Sequence, residues 1–462
     1  MPVSPARRAA FEILRRVEEE SAYSSVLLAA AGEKLNAQDR ALAHELVLGV
    51  LRHRLWLDRT IEHFAARRIE KLDLPVVLAL RIGLYQLRFL SRIPASAAVN
   101  ESVNLVRAAK LKSAATFANA VLRAAAREPE YDPAANAIDP VEKLAIETSH
   151  PPWLVERWIT QFGLAHAAAL ARANNRPAPL VFRFTAKAES GERSQGILDE
   201  LRLAGAELQA SAIAQNAWRV LRTRGKNDEE GAGSDVGEPH EPMRLMRKLS
   251  EDGLIYFQDE GSQLVAQLVG AQTGERVLDV CAAPGSKSTL IALLGPEATI
   301  FAGDLHKHRA RTIKQFAKQQ KARNIQLIVY DATRELPFTN RLFDRVLVDA
   351  PCSGTGTLRH NPEIRWRLQS SDIAELSVKQ RSILRNAAAM VRRGGLLIYS
   401  TCSLETEENG AVVADFCEAH PDFEVSPLDA PGSLLTRDGE VRTWPHREDT
   451  DGFFITGFQR KN

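Results

Sequence analysis

The chain has 462 residues, a hydrophobic fraction of 45%, a charged fraction of 26% and a formal net charge of +2. That length calls for two to four domains of about 100–200 residues each, and the near-neutral balance excludes a polycation, so any nucleic-acid contact must use local patches. No stretch approaches the ~20 apolar residues of a membrane helix, and no apolar segment follows the opening Met1–Arg8 as a secretory signal requires. Four cysteines without a C-x-x-C pair offer neither a disulfide framework nor a metal or redox pair. A cytoplasmic protein with free thiols, no metal and no membrane contact is expected.

Residues 6–127 hold only three glycines and carry apolar residues at helical spacing, such as Phe11, Leu14, Val17 and Leu42, Leu46, Val50. An all-helical domain over 1–135 is predicted, punctuated by Pro75 and Pro94 and closed by Pro129-Glu130-Tyr131-Asp132-Pro133. Residues 1–140 contain 20 Lys and Arg against 16 Asp and Glu, a net of +4. From Val141 the pattern changes to a helix around Trp153–Phe162 and short apolar runs such as Leu180–Phe184, which predict a small α/β module over 141–250. Within it Arg224–Pro242, rich in Gly, Asp, Glu and Pro, reads as a loop without chemistry.

Residues 251–462 alternate apolar strands with helices, the pattern of a mostly parallel α/β sheet covered on both faces. The candidate strands are Arg276–Cys281, Ala298–Asp304, Ile325–Asp331, Phe343–Asp349, Gly395–Thr401 and a last one over 452–458, with helices at Lys307–Lys321 and Asp372–Val391. Gly394-Gly395 is expected to close the latter. In open sheets of this kind ligands bind beyond the carboxyl ends of the strands. The turn after the first strand, Cys281-Ala282-Ala283-Pro284-Gly285-Ser286-Lys287, opens a helix with small residues that let a ligand approach the backbone. It lacks the Walker A glycines and the G-x-G-x-x-G fingerprint, which disfavours triphosphates and NAD. Asp304 follows about twenty residues on, where a carboxylate accepts from ribose hydroxyls; with Asp331 and Asp349 it makes three strand-end carboxylates suited to an adenosyl group beside a cationic sulfonium. S-adenosylmethionine is the expected cofactor, although any one strand-end aspartate also serves to cap a helix.

Two cysteines fall just past strand ends, in Asp349-Ala350-Pro351-Cys352-Ser353-Gly354-Thr355-Gly356 and Ser400-Thr401-Cys402-Ser403. A thiolate adding to carbon 6 of a pyrimidine turns carbon 5 into a nucleophile toward a sulfonium methyl, and the hydrogen on carbon 5 must then leave before the thiol departs. That chemistry needs a second polar group beside the first. Cys281 and Cys417 read as buried structural thiols. With the turn Leu278–Lys287, these motifs resemble the Nol/Nop/Sun family of RNA cytosine-5 methyltransferases, as do Gln258–Gln263, His360–Trp366 and Asp451–Phe454, over about 200 residues. The resemblance implies a Rossmann-like methyltransferase domain in which Cys402 is the nucleophile, Cys352 assists product release, Asp349 binds the cytosine edge and Lys287 deprotonates or orients Cys402. It also implies that residues 281–287, Asp304, Asp331 and Asp349 hold the cofactor. Ser286 departs from the family, which usually has a second glycine there.

Val99–Val103 and Phe117–Arg123 make the helical domain similar to NusB. A NusB-like domain ahead of this catalytic domain resembles the bacterial Sun/RsmB-type branch, which implies methylation of one cytosine in free or early-assembly 16S rRNA by a monomer. The same chemistry on tRNA, or a non-catalytic RNA-binding assembly factor, are the alternatives; the intact cysteines and aspartates oppose the latter. Arg359, His360, Arg365, Trp366 and Arg367 follow the catalytic loop and are expected to contact RNA, Trp366 by stacking on a base or else by packing. Arg311, Lys314, Lys318 and Lys321 share one helix face, which suits either a phosphate track or a solvated outer surface.

Overall fold

The computed structural model describes residues 3–188, 191–223, 241–339 and 341–462. They divide into two units, one built from residues up to 177 together with 358–368, the other from the remainder.

The first unit is all-helical: α1 (Pro5–Glu19), α2 (Ser24–Gly32), α3 (Ala37–Arg52), α4 (Arg54–Ala65), α5 (Leu74–Phe89), α6 (Ala95–Ala108), α7 (Lys112–Arg127), α8 (Pro140–Thr148), α9 (Pro152–Phe162) and α10 (Leu164–Asn174). Its centre is α5, whose run Val76–Gln86 is buried on every side, as a helix without a polar face must be. Pro75 sits in its first turn, where a missing N–H costs nothing. The buried Arg81 of α5 is neutralised by a two-pronged pair with Asp58 (2.7 and 2.8 Å) and a contact with Glu18 at 3.1 Å. Helices α8 to α10 fall in this unit by their packing. Leu144, Ala145 and Val155 pack with Leu55, and the Ser149 hydroxyl accepts from the Leu55 amide at 2.7 Å.

His53 stacks on Phe89 with ring centroids 4.2 Å apart, and burial, with Arg365 and Arg52 nearby, holds its pKa down to about 4. The unfolded chain takes up this proton near pH 6.5 and the folded unit does not, so its stability is complete above pH 6.5 and declines as the pH falls toward 4. By pH 5 the loss from this group is about 2 kcal/mol. Thermal melts of His53→Gln between pH 7 and 5 should therefore show a shallower decline than wild type; parallel curves would rule this proton out as the cause.

The second unit begins with a four-stranded antiparallel sheet in the order β2-β3-β1-β4, from β1 (Leu180–Phe184), β2 (Ala206–Ala210), β3 (Ala217–Thr223) and β4 (Ile255–Phe257), with helices α11 (Gly191–Leu203) and α12 (Glu241–Glu251). Residues 224–240 of the expected loop lie outside the described residues; its last two residues start α12. The chain continues through α13 (Glu260–Leu268), β5 (Arg276–Asp279), α14 (Ser286–Leu294), β6 (Thr299–Asp304), α15 (Lys307–Gln320), β7 (Ile325–Val329), β8 (Phe343–Asp349), α16 (Ser370–Met390), β9 (Val391–Thr401), α17 (Gly410–Ala419), β10 (Phe423–Ser426), β11 (Val441–Thr443) and β12 (Phe453–Arg460). The main sheet runs β10-β12-β9-β8-β5-β6-β7, with β11 beside β12. Strands β7, β6, β5, β8 and β9 are parallel and β10 to β12 antiparallel, so the α/β expectation holds. Strand order reverses between β5 and β8, which opens the ligand crevice at their carboxyl ends.

Two local expectations change. Asp331 lies two residues past β7, in a turn where its carboxylate accepts from the Thr333 amide (3.0 Å) and hydroxyl (2.7 Å). Gly394 and Gly395 do not close a helix: α16 stops at Met390, and β-branched Val391 pairs at once with Phe343, leaving the glycines in a register shift with Gly394 at φ +66°.

Candidate active site

Each strand of the crevice ends in a side chain with a partner. Asp279, at the end of β5, is 1% exposed; one oxygen accepts from the Ser288 hydroxyl at 2.6 Å and the other is buried without a partner. Burial pushes its pKa up to about 7, against the Ser288 hydrogen bond and with the Asp349 charge adding to it. From the sequence Asp279 reads only as an interior position of the strand Arg276–Cys281 and part of the Leu278–Lys287 motif, with no role of its own. Its signal was the acid ahead of the small-residue turn.

That turn leaves β5 alongside its neighbours, with the Val280 amide on the Leu347 carbonyl (2.9 Å) and the Ala282 amide on the Gly303 carbonyl (2.8 Å). Gly285 has φ +105°, and a Cβ there would lie 3.0 Å from Ile313, so the position requires glycine. Helix α14 starts at the next residue, and the amides of its first turn have no acceptor within the helix. Asp304 is 4% exposed; it accepts from the His306 amide at 2.9 Å and lies 3.7 Å from the Arg309 guanidinium. Cys281, expected to be structural, is enclosed by these groups. Burial and the Asp279, Asp349 and Asp304 charges push its thiol up, so it is neutral. A glycine-lined turn, an unsatisfied buried carboxyl oxygen and strand-end carboxylates fit a nucleoside that carries hydroxyls and positive charge.

The two remaining cysteines meet. Cys352 Sγ and Cys402 Sγ are 3.3 Å apart, a hydrogen-bonding distance well beyond a disulfide's ~2.05 Å. Their loops are joined by backbone: the Gly356 amide donates to the Cys402 carbonyl (2.9 Å) and the Gly452 amide to the Gly356 carbonyl (2.8 Å). A Cβ on Gly356 would stand 2.1 Å from the Gly452 carbonyl oxygen, so only glycine permits this approach. The hydrogen bond to Cys402 pushes the Cys352 thiol well up, with burial and the Glu408 charge acting in the same direction. Cys352 is thereby disfavoured as a thiolate.

Asp349 accepts from the Ser400 hydroxyl at 2.9 Å and pairs with Lys287 Nζ at 2.7 Å. Burial alone would lower the Lys287 pKa, but Asp349 outweighs it and raises the value, with Cys402 contributing. Held as an ammonium by this pair, Lys287 offers a nearby sulfur positive charge. Cys417, expected to be buried, is exposed on α17.

Glu408 was not singled out from the sequence. It is 0% exposed, and its carboxylate accepts from the Ser353 amide (2.8 Å), the Ser353 and Ser403 hydroxyls and Gln380 Nε2 (2.9 Å). It thereby ties the Cys352 loop to the Cys402 loop. Asn409 completes the brace, accepting from the Thr401 hydroxyl at 2.6 Å and donating to the Ser403 carbonyl at 2.8 Å.

The expected RNA contacts beyond the catalytic loop are differently employed. Arg365 is 0% exposed inside the helical unit, where it donates to Asn175 Oδ1 (2.8 Å) and to the Ser149 and Asn174 carbonyls; burial, then Arg52, holds its pKa down to about 9. Arg359 is buried and donates to the Pro177 carbonyl at 2.8 Å. Trp366 Nε1 donates to the Leu51 carbonyl at 2.9 Å and Arg367 to the Val17 carbonyl at 3.1 Å. These side chains hold segment 358–368 in place, and Arg359 and Arg365 have no free face for a phosphate. His360 is exposed.

Strand order, the glycine-lined turn and the strand-end carboxylates together define an S-adenosylmethionine-dependent methyltransferase. Residues 266–459 match the family described as 16S rRNA methyltransferase RsmB/F, residues 4–127 the NusB family, and residues 150–224 the ferredoxin-like domain of RsmF/B-like methyltransferases. The probable ribosomal RNA small subunit methyltransferase B of Bacillus subtilis (strain 168) is 36% identical over the whole of both chains. Its namesake from Synechocystis sp. is 34% identical, with 98% of this chain and 99% of that one covered. The crystal structure of PH0851 superposes with a TM-score of 0.80 at 26% identity over the full length of both chains. The chain belongs to the RsmB/F family of methyltransferases.

Proposed function

We propose that the protein methylates carbon 5 of a cytosine in free or early-assembly 16S rRNA, acting as a monomer through a covalent bond between Cys402 and the base. The observation that carries this reading is the 3.3 Å thiol pair at the carboxyl ends of β8 and β9, beside a Lys287–Asp349 ion pair. S-adenosylmethionine, when bound, supplies an electrophilic methyl group. Cys402, as thiolate, adds to carbon 6, which places electron density on carbon 5 for attack on that methyl. The Lys287 ammonium stabilises the thiolate before the attack. Asp349, already oriented by Ser400 and Lys287, accepts from the exocyclic amine of the cytosine and fixes the ring. A water takes the hydrogen of carbon 5 as a proton, the electron pair left behind restores the carbon 5–carbon 6 double bond, and the carbon–sulfur bond breaks to release Cys402 as a thiolate. Cys352, as a thiol, donates a hydrogen bond to that departing sulfur.

In the same reading Asp304 accepts from the ribose hydroxyls and the turn Cys281-Ala282-Ala283-Pro284-Gly285-Ser286-Lys287 encloses the methionine end. Asp331, held in its own turn by Thr333, sits at the edge of this set. Asp304→Ala removes a charged acceptor whose hydrogen bonding is worth about 1.5–3 kcal/mol. Calorimetric titration should accordingly show S-adenosylmethionine affinity down about tenfold to a hundredfold; an unchanged affinity would remove Asp304 from the site. The overall reading is tested by bisulfite sequencing of unmodified 16S rRNA after incubation with protein and cofactor. One protected cytosine is expected. Protection only in tRNA would reassign the substrate, and methylation without cytosine protection would overturn the carbon-5 chemistry.

A further inference from the structure

Helix α15 leaves the cofactor crevice three residues after Asp304. From Leu305 to Arg323 there are seven lysines and arginines and no acid. Its buried face is fully engaged: Ile313 lies under Gly285, Phe316 meets Tyr256 edge-on at 5.6 Å, and Gln320 accepts from Arg183 at 3.1 Å. Lys307, Arg311, Lys314, Lys318 and Lys321, four and three residues apart in turn, fall on one opposite stripe. All five are exposed, and none has an ion-pair partner among the described residues.

On α1 and α12 such charges are neutralised within the helix. On α1, Arg15 pairs with Glu12 and Glu19, and Arg16 with Glu20; on α12, Arg247 pairs with Glu251. Like charges three and four residues apart weaken a helix, and the α15 stripe carries four such pairs without relief. A solvated outer face gains nothing from this arrangement, whereas a polyanion would relieve all of it. The stripe is about 21 Å long, close to the run of about six phosphates along one helical strand.

We infer that the α15 stripe is a docking track for the phosphate backbone of the RNA whose cytosine is methylated, and this rests on the reading of the protein as an RNA methyltransferase. The track supplies affinity without sequence preference, because it touches phosphates and not base edges. Its side chains take no part in the chemistry, so its loss appears in RNA binding and not in the rate of the bound complex.

The test uses the full chain with Lys314→Glu/Lys318→Glu and Lys314→Arg/Lys318→Arg, in filter binding to a 16S rRNA transcript across a salt series. Charge reversal should raise Kd by about tenfold or more at ~0.1 M salt and make the log Kd against log salt plot shallower by about 1.5. The arginine pair should bind as wild type does. Cofactor affinity and the methylation rate at saturating RNA should stay within about twofold of wild type for both. Equal Kd and equal slope for wild type and charge reversal would overturn the track. Tighter binding of wild type to vesicles rich in phosphatidylserine than to RNA would assign the stripe to a membrane surface instead. Wild type with no salt-dependent affinity for RNA would sink the RNA reading as well, and that result is separable from failure of the stripe alone.

Discussion

Cys352→Ala, mixed with unmodified 16S rRNA and S-adenosylmethionine, is expected to accumulate a protein–RNA adduct that survives a denaturing gel. Cys402→Ala and the double variant should form none. The expectation follows from the asymmetry of the pair. Cys402, burial and Glu408 all push the Cys352 thiol up, which disfavours Cys352 as the attacking thiolate. Without Cys352 the departing thiolate loses its thiol donor, so the adduct outlives the methyl transfer. Turnover should fall on the order of 10,000-fold in Cys402→Ala, as expected for loss of a nucleophile. An adduct in Cys402→Ala in place of Cys352→Ala would reverse the two roles.

Glu408→Gln is expected to cost nearly as much without touching either sulfur. The carboxylate receives donors from Ser353, Ser403 and Gln380, and an amide presents one oxygen and two competing N–H groups to the same set. Each buried donor left without an acceptor costs about 1–3 kcal/mol, so the melting temperature should fall. The loops carrying the two cysteines would no longer be held in register, and a shift of about 1 Å at a reacting centre lowers a rate on the order of 100-fold. Glu408 acts here as a positioning residue. The distinguishing result is therefore a fall in kcat and in the yield of the Cys352→Ala adduct, with cofactor affinity unchanged. A kcat within about threefold of wild type would show that the loops hold themselves.

Much of this site could be read from the sequence. Alternation of strand and helix puts Asp304, Asp349, Cys352 and Cys402 at carboxyl ends of a parallel sheet, and in this architecture those ends are neighbours however far apart they lie along the chain. Glu408 could not be found that way. It sits in an acidic run with Glu405 and Glu407, which reads as a solvated stretch, and its burial depends in part on Ser353, 55 residues away. Arg359 and Arg365 misled for the opposite reason. Arginine is seldom fully buried, so basic residues after a catalytic loop read as RNA contacts, while the acceptors that bury them lie at positions 149, 174, 175 and 177. Nothing local to 358–368 announces those partners.

Residues 358–368 also bear on how the protein is made. The helical unit looks like an N-terminal domain that is ready as soon as it is translated, yet the Ser24 amide waits for Glu363, and Arg52 for the Arg359 carbonyl. The carbonyl of Val17 likewise waits for Arg367. At about 5–20 residues per second, the ribosome takes roughly ten to forty seconds to travel from residue 177 to residue 368. Through that interval the helical unit lacks these partners, so its hydrogen bonding is completed only after most of the second unit's sheet has been translated.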